Sequence, residues 1–528
     1  MKKIFTLFIG AILMTSACVN LDERTYSEMP KDEFLSSGEN LALYTSTPYT
    51  RLQDWAVEQG YWTLILQLCN EMAVPKDLKS GYWAEPRYGE LHSHEIPAGN
   101  KLVKGGWEFC FNGIAACNDA LHEIEKTGIK DEAALQNIAE IRVLRAFYYF
   151  LAVDLWGNVP FSISKTDTSS PKQKPRKEMF SFIETEIKES INDLSEKTSS
   201  TYGRVTKDVA NFLLAKLYLN AEVYIGEDMY EEAGNICKDI MDGGKYQLTA
   251  TYKENFDVKN ENSTEAIFAI PYSNVYTPEK FFIWVMSINS YIEPALEVGG
   301  TWNGSWMGQP DFMATYAPED TRKKDTWLFG EIYDRKGTRV QYQDGVQCDD
   351  KGQPITDENG NHIPIMYDLY LEDINIPESK FGAGIGVCEG ARIQKWTYQG
   401  ENILIDNNVS MENDFFLMRY ADVVLMYIEC LVRQGQAGLA AANEDFQKIR
   451  TRAGLEPIAA ADLTLDNLLI ERQHELALET WTRNDLVRFG KYLDAWWAKD
   501  AGQDYMLLLP IPSEMIGSNP NLGQNDGY

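Results

Sequence analysis

The chain contains 528 residues, and its 44% hydrophobic and 24% charged residues are ordinary for a globular protein. Its formal net charge of −30 would repel phosphate backbones and anionic headgroups, so nucleic acid is excluded as a partner and neutral ligands remain compatible. Beyond the N-terminal region no stretch approaches the roughly eighteen apolar residues of a transmembrane helix, which predicts a body that lies on a membrane rather than in one.

The N-terminus has the pattern of a secretory signal. Residues 4–14 form a largely apolar run after two lysines, and small residues at 15–17 precede Cys18. As a helix this run would reach roughly 16 Å, about half of a hydrocarbon core, so it is too short to span a membrane. We therefore predict that residues 1–17 are a signal peptide.

Cys18 predicts a lipid anchor. In lipoprotein signals the cysteine that follows the small residues is acylated and becomes the new N-terminus. Thr15 departs from the usual aliphatic residue, and an ordinary secreted cysteine is the alternative. Asp22 and Glu23, just after Cys18, resemble the export signals of surface lipoproteins. The predicted tether, residues 18–33, would then join the lipid anchor to the body.

Helical periodicity dominates residues 39–245 and 414–495. Within 210–221, apolar residues spaced three, four, seven and eleven positions apart define one buried face. A second, short helix is predicted at 230–241, where two glycines end it. A helix pair of this kind is typical of a tetratricopeptide unit, which can bury its apolar face only by stacking on other units.

Similar helices are predicted elsewhere in both regions. They are 105–126 paired with 131–156, 414–435 paired with 439–453, and one long helix at 464–490. The predicted fold is therefore mainly all-α, a single domain over 34–528 whose helical scaffold covers about 34–249 and 413–528.

The scaffold is interrupted by a long irregular excursion at about 250–412. Gly, Pro, Asn, Asp and aromatic residues crowd together there, and the helical periodicity breaks. The turn-rich segments 349–352 and 357–361 are predicted to close hairpins. Excursions of this length are usually functional, so we expect this one to contribute loops to the ligand site.

No cofactor and no metal site is predicted. The turns at 349–352 and 357–361 could hold a structural Ca²⁺ by their carboxylates, but neither keeps the EF-hand spacing. His92 and His94 could form half of a metal site; since no third ligand clusters with them, a polar loop is favoured.

No catalytic residues are predicted either. Glu471, Glu475 and Glu479 recur every four residues, and Glu471 with Glu475 could be taken for the carboxyl pair of a retaining glycosidase, which needs a separation of about 5 Å. Adjacent turns of one helix seldom place two carboxyls on opposite faces of a substrate. We therefore favour an ion network in which Arg472 and Arg483 neutralise the glutamates, and a protein that is not an enzyme.

Two loops combine aromatic with hydrogen-bonding side chains. Sugars present flat C–H faces and a rim of hydroxyls, so a sugar site needs exposed rings beside polar groups. The candidate ligand-binding residues are Asp77, Tyr82, Trp83, Arg87 and Tyr88 in the first loop, and Trp302, Asn303 and Trp306 in the second. The alternative is that these tryptophans plug their loops onto the core. Packing is the expected role of Trp481, Trp496 and Trp497.

Several segments along the chain carry a family resemblance. They are Glu140 to Phe150 with Asp154 to Pro160, Arg204 to Lys207 leading into a helix that Thr206 would cap, Met418 to Tyr427 with Arg450 to Leu455, Glu471 to Leu476, Leu508 to Pro512, and Asn519 to Tyr528. Together they resemble the SusD/RagB family closely. Trp156 departs from the family pattern, which more often has Phe before that Gly.

The resemblance implies more than the residues alone. It implies a helical fold built on four tetratricopeptide-like units. It also implies an outer-membrane lipoprotein that captures oligosaccharide or polysaccharide and delivers it to a SusC-like, TonB-dependent transporter. A RagB-like protein of the same fold that captures peptides is the alternative.

Overall fold

The structure is a computed structural model. It describes residues 38–57, 60–73, 87–167, 169–273, 275–277, 306–334, 336–368, 370–371, 376–380, 389–397 and 411–528. Across these ranges, no helix combines the length and the apolarity needed to cross a bilayer.

Helices form most of the described scaffold. In chain order they are α1 (Gly38–Tyr44), α2 (Thr47–Leu52), α3 (Tyr61–Gln67), α4 (Arg87–Ser93), α5 (Lys101–Thr127), α6 (Glu132–Trp156), α7 (Arg176–Ser190), α8 (Lys207–Leu219), α9 (Ala221–Ile225), α10 (Tyr230–Asp242), α11 (Pro310–Met313), α12 (Thr321–Thr326), α13 (Tyr420–Arg433), α14 (Ala437–Ala441), α15 (Glu444–Arg452), α16 (Leu465–Glu475), α17 (Thr482–Arg488) and α18 (Ser513–Ser518). The pairs α5 with α6, α6 with α7, α8 with α10 and α10 with α13 pack against each other. The mainly helical prediction is confirmed, whereas the tetratricopeptide character of the pairs stays a prediction.

The described strands are short and pair two by two. They are β1 (Met72–Ala73), β2 (Val159–Pro160), β3 (Gln173–Lys174), β4 (Ala266–Ile270), β5 (Met307–Gly308), β6 (Trp327–Leu328), β7 (Gly330–Glu331), β8 (Gln341–Val346), β9 (Pro364–Asp368), β10 (Tyr370–Leu371), β11 (Arg392–Ile393) and β12 (Phe415–Arg419). The antiparallel pairs are β1 with β5, β2 with β3, β4 with β12, β6 with β11, β7 with β10 and β8 with β9. Several of these pairs join segments far apart in the chain, so they fix the excursion to the scaffold.

The capping residues define where the long helices begin and end. Asn100 accepts from the backbone N–H groups of Leu102 and Val103 at the start of α5, and Asp131 caps α6 in the same way. Thr206 caps α8, as the sequence predicts. Gly128 ends α5 with a left-handed φ of 67°, a conformation that costs a glycine little. These local signals explain why the predicted boundaries of α5 and α6 are nearly right.

The predicted long helix at 464–490 is wrong, because the chain breaks between α16 and α17. Leu478 and Thr480 adopt left-handed φ angles of 65° and 93°. The backbone of this segment is held from outside: Trp62 Nε1 donates to the Leu478 carbonyl at 2.9 Å, and Lys395 Nζ donates to the Ala477 carbonyl. Tertiary hydrogen bonds therefore replace those of a continuous helix.

The predicted helix at 414–435 also needs a correction at its start. Residues Phe415–Arg419 form β12, whose partner β4 lies about 150 positions earlier in the chain, with Phe415 opposite Ile270. Only from Tyr420 onward does the chain become α13. Because β12 is buried along its whole length, its sequence has no alternation that would separate it from a buried helix.

The hairpins predicted in the excursion are confirmed. Asp349 Oδ1 accepts from the backbone N–H of Lys351 at 2.9 Å and of Gln353 at 2.8 Å. Asp357 repeats this arrangement with Asn359 and Asn361. Each carboxylate is thus used within its own turn. Among the described residues there is no cluster of three or more side chains suited to a metal ion.

An ion network fills the space around α16, and its centre is Arg419. Its guanidinium donates to Glu479 at 2.6 Å, to Glu475 at 2.8 Å and to Glu265 at 3.0 Å. Arg452 donates to Glu475 and Glu265, each at 2.5 Å. Burial alone would raise the pKa of Glu475, but the Arg452 and Arg419 guanidinium groups hold it well below its usual range. Glu475 and Glu479 are therefore buried ion-pair partners of arginines and do not form a glycosidase carboxyl pair.

The partners of these glutamates differ from the predicted ones. Arg472 binds Asp422 and Asp485, each at 2.8 Å, and Arg483 binds Asp154 at 3.1 Å. An α-helix displays successive residues in different directions, so Arg472 leaves the face that carries Glu471 and Glu475. The ion network itself is confirmed, but the sequence assigned the wrong arginines to it.

Candidate functional site

The ribbon β1–β5 joins the two segments that the sequence singles out. Met72 lies opposite Gly308, and Ala73 lies opposite Met307. Residues 74–86, which contain most of the first predicted loop, follow β1 directly, and residues 278–305, which contain most of the second, end one position before Trp306 and β5. Ala73, directly before the first segment, and Met307, shortly after the second, therefore lie opposite each other although they are more than 200 positions apart in the chain.

Gln309 clamps this ribbon to the scaffold. Its side-chain amide donates to the Met72 carbonyl at 2.6 Å and to the Cys69 carbonyl at 3.3 Å, and its backbone N–H donates to the Glu71 carbonyl at 3.2 Å. Gly308 allows the close packing, because a Cβ there would lie 2.7 Å from the Met313 sulfur. These contacts fix the position of the ribbon on the scaffold.

Glu71, directly before β1, is hydrogen-bonded to residues at the break between α16 and α17. One of its carboxylate oxygens accepts from the Thr482 hydroxyl at 2.7 Å, and the other accepts from the Leu478 N–H at 3.2 Å. The side chain is fully buried, and this burial raises the pKa of Glu71 to about 7 despite the hydrogen bonds that lower it.

A small apolar cluster lies beneath the ribbon, formed by Ala73, Met307, Ile376 and Trp497. Trp497 Nε1 donates to the Ile376 carbonyl at 2.9 Å. The Trp497 carbonyl in turn lies 2.9 Å from His92 Nε2.

The His92 and His94 side chains are both buried beside this cluster. The His94 ring stacks on Tyr492 with a centroid distance of 4.2 Å. Burial lowers the pKa of His92 to about 4. The expected polar loop at 92–94 is therefore wrong: apolar surroundings keep these rings neutral and use them for packing.

A cavity of about 620 Å³ adjoins this cluster, because Ala498 packs against the cluster and also lines the cavity. Its other principal lining residues are Asp311, Glu378, Trp496, Lys499 and Asp500. The combination of an indole with carboxylates and an ammonium is suited to a ligand with apolar faces and hydroxyl groups.

Trp496 is the residue of this cavity that the sequence assigned only to packing. It is 8% exposed, and its ring packs edge-on against His94 at a centroid distance of 5.0 Å. Lys499 Nζ lies 4.1 Å from the centre of the indole. The signal in the sequence that could have indicated this cavity is the tryptophan pair 496–497 just before two charged residues. The sequence does not show which tryptophan lines the cavity; the structure shows that Trp496 does and that Trp497 is buried.

Three predicted ligand-binding residues are corrected by the structure. Trp306 is 0% exposed and packs against Trp62, with ring centroids 5.7 Å apart. Arg87 and Tyr88 begin α4 and are 5% and 1% exposed, with the guanidinium over the ring at 5.0 Å. None of these side chains offers an open surface to a sugar. All three side chains are packed in the interior of the scaffold.

The other predicted site residues lie outside the described residues. They are Asp77, Tyr82, Trp83, Trp302 and Asn303, together with the lipidation residue Cys18. Their roles stay predictions.

A larger cavity of about 680 Å³ lies between α1, α2 and the end of β4. Its lining includes Leu43, Leu52, Ile270 and Pro271, and it is mostly apolar. Tyr49 is the aromatic residue in its described lining, but its hydroxyl already donates to Glu140 at 2.6 Å. The smaller cavity at the ribbon is therefore the better candidate for a polar, hydroxyl-rich ligand.

Comparison with known families decides the identity of the fold. Residues 220–528 match the model described as the SusD family, and residues 21–219 match the model described as starch-binding associating with outer membrane. The chain belongs to the SusD family. The resemblance found in the sequence motifs is confirmed.

The relatives of this SusD-family chain include a starch-binding protein and a SusD-like protein. The starch-binding protein SusD of Bacteroides thetaiotaomicron is 28% identical over 430 residues, covering 76% of this chain and 74% of its own. A SusD-like protein of Bacteroides ovatus is 22% identical over 512 residues, covering 93% and 83%.

Solved structures show the same fold. Surface glycan-binding protein A from Bacteroides thetaiotaomicron, in complex with laminarihexaose, has a TM-score of 0.68 at 20% identity and covers 92% of this chain and 99% of its own. A laminarin binding SusD-like protein has a TM-score of 0.71 at 19% identity, with coverage of 92% and 99%.

Proposed function

We propose that this protein captures glycan at the cell surface through the site framed by the β1–β5 ribbon. The observation that supports the proposal is the β1–β5 ribbon, in which Ala73 and Met307 share an apolar cluster with Trp497. This cluster adjoins a cavity lined by an indole and carboxylates, and the two aromatic-rich segments are next to the ribbon in the sequence. The family match and the names of the relatives support glycan as the ligand. Binding rather than catalysis is the role of the site, and a SusC-like, TonB-dependent transporter receives the ligand.

Within this site, Trp83 and Trp302 are the proposed aromatic platforms. They lie in the segments next to β1 and β5, and Tyr82, Asp77 and Asn303 are the neighbouring groups proposed to contact sugar hydroxyls. An indole face covers the C–H face of a pyranose ring, while amide and carboxylate groups exchange hydrogen bonds with its rim.

Replacing either platform should weaken glycan binding without unfolding the protein. We expect Trp83→Ala and Trp302→Ala each to cost about 1–3 kcal/mol of binding free energy, since each removes a stacked ring. Isothermal titration with amylose, laminarin, fructan, hemicellulose, mucin and N-glycan samples measures this effect. Tyr44→Ala, which removes an exposed ring on α1, is the control and should retain the affinity of the parent.

Unchanged affinity in both tryptophan variants would remove the two platforms from the site. Binding of mixed peptides, with no response to any glycan, would select the peptide-capturing alternative instead.

Lipidation at Cys18 is the proposed means of attachment, after cleavage of residues 1–17 and with residues 18–33 as tether. Two or more acyl chains give stable anchoring, whereas a protein without them has little affinity for a bilayer. Cys18→Ser should therefore move the protein from the outer-membrane fraction to the soluble fraction, as measured by immunoblotting of fractionated cells. Thr15→Ser, which keeps the cysteine, is the control. A Cys18→Ser protein that stays in the membrane fraction and labels with palmitate would contradict the anchor.

A further inference from the structure

We infer that the cavity beside the ribbon selects neutral glycans and disfavours glycans that carry carboxylate or sulfate groups, an inference that rests on the proposed glycan-binding function. The carboxylates of Asp311, Glu378 and Asp500 line the cavity, and Lys499 is the basic residue in its described lining. The described lining is therefore negative overall.

The three carboxylates are available to act on a ligand. All three residues are exposed. Within the ranges that the structure describes, none of them forms an ion pair with an arginine or lysine, unlike the glutamates of the buried network. Their field is therefore directed into the cavity and the surrounding water.

Lys499 offsets part of this charge, because its ammonium attracts the Asp500 carboxylate, but it does not reach toward a ligand. Its ammonium donates to the carbonyl oxygens of Asp494 at 2.8 Å and Asp500 at 3.1 Å, and it lies over the Trp496 ring. The residue is 5% exposed, so its charge is turned to the backbone and the indole face. An anionic group that entered the cavity would have to break these contacts to pair with it.

Trp496 provides the aromatic part of the described cavity lining. Its side chain is more than nine-tenths buried and lines the cavity. Its indole N–H has no hydrogen-bond acceptor in the described part of the chain. Because the indole nitrogen is itself buried from solvent, the ring rather than the N–H is the part of Trp496 that can contact a sugar.

The electrostatic effect is large enough to measure. Two like charges about 4 Å apart in water repel enough to change an equilibrium about fivefold, and the effect is larger where protein replaces part of the water. The net charge of −30 on the whole chain acts in the same direction at low ionic strength.

Matched pairs of glycans test this inference with the mature, full-length protein. Amylose and laminarin are each compared with their lightly carboxymethylated derivatives by isothermal titration, in about 20 mM and about 0.5 M NaCl. We expect a parent glycan to bind at least about fivefold more tightly than its anionic derivative in low salt. The ratio should shrink in high salt, where the screening length falls to a few ångströms.

A charge-neutral cavity variant separates electrostatics from shape. The triple variant Asp311→Asn, Glu378→Gln, Asp500→Asn should reduce the ratio to less than about twofold. The control Glu231→Gln, Glu232→Gln, Asp239→Asn makes the same charge change on the exposed face of α10 and should leave the ratio near that of the parent protein.

Each other result has a distinct meaning. Equal affinity for a parent and its derivative, or a ratio that persists in the cavity variant, overturns charge selection while glycan binding stands. A ratio that falls equally in both triple variants assigns the effect to overall charge and also overturns the cavity's role. If no parent glycan of this or the wider panel binds, the proposed function fails, and the inference fails with it.

Discussion

Replacing Arg419 by Met should lower the free energy of unfolding by about 3–5 kcal/mol, the range found when one partner is removed from a buried ion pair. The guanidinium is 1% exposed and donates to Glu265, Glu475 and Glu479. Its loss leaves three buried carboxylates with fewer cations, and water cannot enter to replace the lost hydrogen bonds. Chemical denaturation followed by circular dichroism measures the change.

Lys238→Met provides the matched control for this substitution. Lys238 pairs with Asp242 on the exposed face of α10, and such surface pairs contribute little to stability because water screens them. A loss of stability in Arg419→Met as small as that in the control would contradict the structural role of the network. The double variant with Glu479→Gln should lose less than the sum of the two single losses, because the two residues contact each other.

The second large effect concerns Glu71 and pH. Burial raises the pKa of Glu71 to about 7 in the folded protein, whereas an unfolded glutamate titrates near pH 4.3. The folded state therefore holds this proton more tightly than the unfolded state does. Its contribution to stability is complete below about pH 4 and is lost as the pH rises through about 7. The loss amounts to on the order of 3 kcal/mol.

Glu71→Gln should lack this pH dependence. The variant loses a hydrogen bond, because an amide cannot accept from both Thr482 and Leu478 with its two ends, so it should be less stable than the parent at pH 5. The difference should narrow or reverse by about pH 8. Thr482→Val removes a donor that lowers the pKa of Glu71, and it should move the transition to higher pH. Parallel pH profiles for the parent and Glu71→Gln would exclude this role.

Local sequence signals account for much of the scaffold. The predicted helices at 105–126 and 131–156 correspond to α5 and α6, since apolar periodicity and capping residues act within a few positions. The turns that begin at Asp349 and Asp357 are equally local, because each carboxylate binds backbone N–H groups two and four positions ahead. Such features can be predicted without knowledge of distant contacts.

The errors arise where distant residues decide the structure. The break at Leu478 depends on Trp62 and Glu71, and β12 depends on a partner about 150 positions away. Distant contacts also decide which tryptophans are buried at the candidate site. Aromatic loop composition predicts a ligand site in two segments that flank the β1–β5 ribbon in the sequence, and that site stays a prediction. The burial of Trp306 and the cavity position of Trp496 follow from packing that no local pattern encodes.

The way in which the β1–β5 ribbon is anchored has a consequence for how the ligand preference of such a protein can change. Gln309 and Glu71 hold both strands to the scaffold through backbone and buried contacts. The anchoring therefore does not depend on the amino-acid composition of residues 74–86 or 278–305. If the adjoining segments bind glycan as proposed, insertions or substitutions beyond Ala73 or before Trp306 would change the ligand preference and leave the anchoring contacts in place. New preferences could then arise without a compensating redesign of the core.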